Sequence, residues 1–451
     1  MYLSITFTAL CRFILRSRAV WPCLLLLTNT ILLPAQDTDE PHSEFKLDAE
    51  LRSRTELRNG YRQLRQDTTS IAFFTGGRTR LNLSYQHPKY ALRVSVQDVR
   101  TWGETDGRSN KGTTQLFEGY GDFFFTPKLS LRVGRQRIMY DNQRLFAQND
   151  WRGTANAHDG FNLRYLSPNV NTELALFFNQ HTEQIFGTNF NPGFSTYKFL
   201  ALHYLSAKLN TQFTLITINA TDGFQDAQKV EKIHFRHTNG GRLEYANRQW
   251  YATLAGYYQW GETIDRQTIA AFYLQPEIKY TTPNKKYRFR LGAELMSGQN
   301  AHDVNDDKFR SFVPLYGVAH RFNGYMDMFT NFPTDLNNAG IINPYLLIAC
   351  NINENLSLQS DFHAFFSENN FIDTNALTIN KYLGFENDWL LNYTLNDATK
   401  MELGVSYLSP TASLSVIKKG GNPDLLNYWA YFQLTFKPTL FTYTKKINKD
   451  K

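Results

Sequence analysis

The chain has 451 residues, a formal net charge of +7 and 15% aromatic side chains, with a mean hydropathy of −0.44. So much aromatic residue excludes a disordered chain, and beyond the N-terminus no apolar run approaches the roughly 18 residues of a membrane helix. A membrane location then requires a barrel, because only helices and closed barrels satisfy every backbone polar group in lipid.

Residues 1–35 read as a secretory signal. Arg12, Arg16 and Arg18 form its basic region, 24–27 and 31–33 its apolar stretch, and Ala35 precedes the cleavage point. Without those three arginines the charge falls to +4, too balanced for a nucleic-acid partner. Cys11 and Cys23 lie in the leader, so Cys350, in the apolar run LLIAC, has no disulfide partner and reads as a packing or lipid-facing residue. Residues 36–44 form a short periplasmic segment, with no room for the folded plug of an active transporter.

The first strand, 45–58, reads FKLDAELRSRTELR. Phe45, Leu47, Ala49, Leu51 and Leu57 share one side; Lys46, Asp48, Glu50, Arg52, Arg54, Glu56 and Arg58 share the other. Such a strand exceeds the usual soluble length of roughly 3–10 residues. In an outer-membrane barrel the apolar face meets lipid and the charged face meets a wet lumen. The pattern recurs near 70–86, 90–102, 115–126, 129–140, 159–167, 171–180, 198–207, 211–220 and 241–247. It continues near 249–260, 268–280, 286–297, 341–350, 355–366, 381–395, 400–409 and 427–437, which makes about 18 strands. Tight turns such as HPK, TPK and NDATK alternate with longer, wetter loops, the parity of short periplasmic turns and long extracellular loops. An even count puts both chain ends in the periplasm. Residues 297–340 are too long for a simple loop, and their apolar clusters FVPLYGV and YMDMF predict folding into the mouth or lumen as a constriction or lid. The barrel is expected over 45–437, with 438–451 a polar tail. The fold class is all-β, a transmembrane antiparallel barrel.

The predicted lumen faces carry Arg52, Arg54, Arg58, Arg78, Arg80, Arg93, Arg132, Arg288 and Arg290, interleaved with carboxylates such as Asp48, Glu50, Glu118, Asp122, Glu294, Asp361, Glu386 and Asp388. Most should pair across strands and stiffen a hollow wall; those left over at the narrowest point would concentrate anions. Arg135 and Arg144 sit where the fifth strand enters a long loop and are expected at the pore mouth, with Asp141, Asp150 and Asp159 pinning that loop by accepting from them. His234 and His237 fall in a predicted loop. No nucleophile–His–acid set, HExxH, CxxC or phosphate loop appears, so no catalytic residue, metal or cofactor is expected.

At 131–160 the chain reads LRVGRQRIMYDNQRLFAQNDWRGTANAHDG. Gly134-Arg135-Gln136, then Tyr140, Asp141, Gln143-Arg144-Leu145, Asp150-Trp151 and Asp159-Gly160 resemble the signature segment of the alginate export family. The family's usual Gly between that Tyr and Asp is absent here, and His158 stands where an aromatic is common. Residues 312–329, with Tyr316, Gly317, His320, Gly324 and Asp327, resemble a later loop of the same family. The resemblance implies an 18-stranded barrel in a Gram-negative outer membrane, with an arginine-rich passage for an anionic uronate polymer.

The expected function is thus a non-enzymatic channel for alginate-like poly- or oligosaccharides. The alternatives are a general or small-anion porin and, behind it, an outer-membrane hydrolase. Expected partners are outer-membrane lipid and lipopolysaccharide, the anionic sugar and the barrel-assembly machinery. A monomer is the form expected for export.

Overall fold

The alternating sequence is realised as strands in a computed structural model that describes residues 42–104, 114–180, 182–187, 197–226, 228–229, 231–303 and 307–447. The signal at 1–35 and most of the segment 36–44 lie outside the described residues. The first nine strands are β1 (His42–Asn59), β2 (Ala72–His87), β3 (Tyr90–Thr101), β4 (Gln115–Phe124), β5 (Leu129–Gln136), β6 (His158–Leu166), β7 (Val170–Phe178), β8 (Phe199–Lys208) and β9 (Phe213–Gln225). Next come β10 (Ile233–Ala246), β11 (Trp250–Glu262), β12 (Thr268–Thr281), β13 (Tyr287–Met296), β14 (Lys308–Phe309) and β15 (Ile341–Asn351). The chain finishes with β16 (Leu356–Ser367), β17 (Tyr382–Asn396), β18 (Thr399–Pro410), β19 (Asn427–Phe436) and β20 (Thr439–Lys446).

Neighbouring strands pair antiparallel, and β1 pairs with β19 from Leu51↔Phe436 to Asn59↔Tyr428, which closes the sheet. β14 is a two-residue piece parallel to β12, and β13 pairs directly with β15. The closed wall therefore has 18 strands, as the sequence pattern predicts. One end carries only short turns and the other the long loops.

Several boundaries differ from the sequence reading: β1 begins at His42, within the expected periplasmic segment 36–44, and β5 ends at Gln136 rather than 140. The polar tail is partly a strand: after Lys437-Pro438, β20 runs on along β1, with the Ala49 amide donating to the Pro438 carbonyl (3.1 Å) and Thr439 Oγ1 to Asp48 Oδ1 (2.9 Å). His234 and His237 lie not in a loop but in β10, whose register with β9 runs unbroken from Ile233↔Gln225 to Tyr245↔Phe213.

Period two sorts the side chains. On β13, Tyr287, Phe289 and Leu291 are exposed outward, while Glu294 on the other face is fully buried. The hydrophobic core sits inside the barrel. Wall residues such as Phe177, Leu200, Ile218, Tyr257, Tyr273 and Phe365 pack against loop residues Phe146, Phe312, Tyr316, Met326 and Phe329. Burying each such side chain stabilises by about 1.5–3 kcal/mol. A barrel this wide would otherwise hold an aqueous channel; here two long loops, 137–157 and the described parts of 297–340, cross its lumen and bond to walls on opposite sides. The predicted inward folding of 297–340 is present, and 137–157 joins it.

Candidate functional site

The first inward loop, 137–157, starts where β5 ends. It turns sharply, with Asp141, Gln143, Asn149 and Ala155 all at positive φ (51–66°). Such conformations cost of order 1–3 kcal/mol each unless the surroundings impose them. Here they do, because wall side chains grip the loop from both sides of the lumen.

On the β7–β13 side, the Tyr140 hydroxyl donates to Glu173 Oε2 (2.7 Å), Asp141 pairs with Arg242, and Arg144 reaches Glu294 Oε2 (2.8 Å) and the Val318 carbonyl (3.0 Å). Burial raises the Asp141 pKa, and the Arg242 pair offsets this only partly.

On the β1–β3 side, arginines converge. Arg52 on β1 stands directly opposite Arg78 on β2, and Glu50 opposite Arg80. Like charges directly opposite destabilise a sheet. The Asp150 carboxylate lies between them. Arg78 donates to it bidentately (2.8 and 3.0 Å), Arg80 approaches at 3.4 Å, and Arg52 donates to the Asp150 carbonyl (2.6 Å). Further wall groups hold the loop's backbone: Arg54 donates to the Trp151 carbonyl, Arg52 to that of Arg152, and Gln97 to that of Thr154 (2.7–2.9 Å).

The second inward loop lies beside the first. The Tyr316 amide donates to the Leu145 carbonyl (2.9 Å), and those of Ala147 and Val318 donate to Tyr316 and Gln143 (3.2 and 3.0 Å). Gly317 is required, because a Cβ there would overlap the Arg144 carbonyl. Beyond it, Arg54, Trp151, His320 and Tyr325 stack face to face, at 3.9, 4.1 and 4.8 Å. Asp327 accepts from His320 (2.7 Å) and from Tyr61. The amides of Met326 and Tyr325 donate to Glu386 Oε1 (2.7 Å) and Asp388 Oδ2 (3.3 Å) on β17. Gly324, at φ +77°, has no room for a Cβ beside Glu386.

Among the described residues, two cavities of about 300 and 350 Å³ flank the tip of the first loop. The smaller is walled by Trp151, His320, Arg321, Tyr325, Glu402 and Tyr431. The larger is charged, walled by Lys46, Glu50, Arg80, Arg93, Glu118 and Lys437. Both touch Gln148 and Asp150, so the tip of the first loop divides them.

The sequence-predicted residues distribute as follows. Arg52, Arg54, Arg78 and Arg80 meet at Asp150. Arg93 faces inward 3.7 Å from Glu118, and Arg132 pairs bidentately with Asp122 (2.7 and 2.8 Å). Arg288 and Arg290 lie on the inner face near the short-turn end; Arg290 is 3.5 Å from Glu277. Arg144 is buried in the loop–wall contact, not at the mouth. Arg135 requires a correction. It shares its face with Leu129, Leu131 and Val133, and pairs with Asp159 (2.6 Å) on the face that exposes Phe161 and Leu163. Arg135 and Asp159 are therefore outside the barrel, and Asp159 does not pin the loop. Asp150 does pin it, but to β1 and β2 rather than to Arg135 and Arg144. Sequence reasoning missed the stack through His320; Trp151, His320 and Tyr325 stand in the two motif segments and Arg54 on β1, and their contact depends on how the loops cross the lumen.

Burial pushes the Asp150 carboxyl up, but Arg78, Arg80 and Arg52 outweigh it and hold the pKa below the usual value. At Asp327 burial is likewise outweighed, by His320, Tyr61 and Arg62. Both folded values lie below the unfolded one, so these ties are fully present above about pH 3.9 and are lost as pH falls through the folded values. The contribution of the Asp150 tie to current noise should therefore be unchanged from pH 7 to about 5 and be lost only below about pH 3.9. A difference in noise between the native channel and Asp150→Asn that disappears already near pH 6 would contradict this account.

No curated protein matches the chain. Among solved structures, OccK9 (OpdG) of Pseudomonas aeruginosa superposes with a TM-score of 0.61 at 11% identity, covering 88% of this chain and 98% of that one. OccK2 (OpdF) of the same organism, solved in complex with glucuronate, gives 0.59 at 11%, covering 88% and 98%. OccAB1 of Acinetobacter baumannii gives 0.59 at 11%, covering 88% and 97%. These likenesses establish the fold. The family model for alginate export matches residues 42–414. With its closed 18-stranded wall, apolar exterior and polar interior, the chain belongs to the alginate export family and is an integral outer-membrane channel.

Proposed function

We propose that the channel passes anionic, uronate-type saccharides across a Gram-negative outer membrane, using the arginines of β1 and β2 as the selective surface. The observation that carries this reading is the convergence of Arg78 and Arg80 on one carboxylate, that of Asp150, with Arg52 3.9 Å from it. A uronate presents the same group, and guanidinium forks match it bidentately. A neighbour of the same fold was solved with glucuronate, which supports the substrate class. The interleaved carboxylates Glu50 and Glu118 keep each contact weak enough to release, as conduction requires. A second reading, a porin for small anions, is favoured by the loops that fill the lumen.

The test is block of single-channel current by polymannuronate against a neutral dextran of similar size. Block by uronate alone, weakening in salt, supports the first reading; block by short uronates only supports the second. Arg80→Ala should weaken the block about tenfold, equivalent to about 1.4 kcal/mol, while the outward-facing Arg135→Ala should leave it unchanged. Equal effects of the two substitutions would refute the placement of the selective surface.

A further inference from the structure

The outer face of β8–β10 breaks the apolar pattern. On its inward side this wall is ordinary, with Leu200, Leu202, Ile218, Ala220 and Thr238 buried. Outward, at mid-strand, stand His203, Asn219 and Asn239, which occupy directly paired positions across three strands. They form one hydrogen-bonded row. The Trp260 indole donates to Asn239 Oδ1 (2.8 Å), Asn239 Nδ2 donates to Asn219 Oδ1 (3.0 Å), Asn219 and His203 approach at 3.4 Å, and His203 meets Thr172 at 3.1 Å. Beside the row, Thr221 bonds His237 (2.8 Å). Apolar residues flank the patch towards both ends of the strands: Leu215, Leu243 and Tyr245 on one side, Phe235 and Ile233 on the other. Other outward polar residues among those described form smaller groups, such as Thr55 with Thr75 and Asn387 with Ser360.

The patch lies at the height of the lipid tails, since a spanning strand needs only about 9–11 residues and these positions are central. Acyl chains offer no donors or acceptors, so the polar surface left over from the internal bonds is costly there. Asn219 and Asn239 each keep an amide proton beyond the row, and Asn239 is exposed. A lipopolysaccharide headgroup does not fit, because it sits at the interface and carries anions, and no Lys or Arg stands on this outer face. A second copy of the chain fits. Asparagine is donor and acceptor at once, so the same patch on two copies related by a two-fold axis is self-complementary. Side-chain hydrogen bonds between membrane segments work in this way.

We infer that the β8–β10 face is a homodimer interface within the membrane, built on His203, Asn219 and Asn239. This departs from the monomer expected for export.

The test uses the full chain in outer-membrane vesicles, with Cys350→Ser as background. Thr217→Cys and Thr221→Cys, treated with a short bis-maleimide, should give a covalent dimer, while Leu403→Cys on β18 should not. The native mass in mild detergent should be that of a dimer. The double variant Asn219→Leu/Asn239→Leu should raise its dissociation constant at least tenfold while leaving uronate block unchanged; heat-modifiable gel mobility checks that this variant folds. A monomeric mass with no cross-link at either cysteine, equal cross-linking through Leu403→Cys, a cross-link only to another protein, or a dimer indifferent to the double substitution would each overturn the proposal.

Discussion

Asp150→Asn is expected to lower the concentration of polyuronate that half-blocks the channel by about tenfold. In the native lumen this carboxylate occupies the position that an incoming carboxylate would take, between Arg78, Arg80 and Arg52. Removing its charge leaves Arg52 and Arg78 facing each other with Glu50 as the remaining acid beside them. One unit charge at roughly 10 Å, at an effective dielectric constant near 20, is about 1.7 kcal/mol, between tenfold and twentyfold in affinity. The gain should shrink at high ionic strength, where exposed charges are screened beyond about 3 Å at 1 M. The same change loosens the loop, so open-channel noise should rise together with affinity. Unchanged or weaker block would mean that the arginines serve only to hold the loop.

Deleting residues 300–338 and bridging the gap with a short Gly/Ser linker should raise single-channel conductance about threefold or more, since an 18-stranded wall leaves an aqueous bore. The wall should survive, because its ladder runs from β13 to β15 without help from the loop. Thermal stability should still fall, because Phe312, Met326 and Phe329 leave the interior core, each worth about 1.5–3 kcal/mol. If conductance does not change, the tip of 137–157 alone sets the bottleneck. Comparison with Asp150→Asn separates the two cases, because that variant loosens the tip of the first loop and leaves the second in place.

The wall was legible because each strand solves the same problem, lipid on one side and water or charge on the other, and period two records the solution. It failed where the problem differs. The run HFRHTNGG reads as a loop because three of its four outward positions are His237, Asn239 and Gly241, and Phe235 alone does not announce a strand. β20 was hidden because it follows the aromatic end of the last clear strand at Phe436 and runs into a lysine-rich stretch that reads as a polar tail. For the site, the inward arginines followed from alternation, and so should Arg135 have done: it shares its parity with Leu131 and Val133. Its place in a recognisable motif argued for the mouth, and the motif misled. The partners of Asp150 were beyond local pattern altogether, because Arg52 and Arg78 lie 98 and 72 residues away in sequence.

The continuation of the last wall strand into β20 bears on how the seam is made. Glu56 and Trp429, which bond across it, are 373 residues apart. Joining ends so distant costs about 4 kcal/mol more chain entropy than closing a four-residue turn. β1 therefore meets its final neighbour last and at the greatest disadvantage of any strand. Thr439–Lys446 lengthens the closing edge, and Lys437 adds an ion pair to Glu50 at 3.2 Å. Chains cut after Phe436 should insert normally yet close more slowly and spend longer as open, protease-sensitive sheets, which makes the segment beyond the barrel a fastener for the last step of assembly.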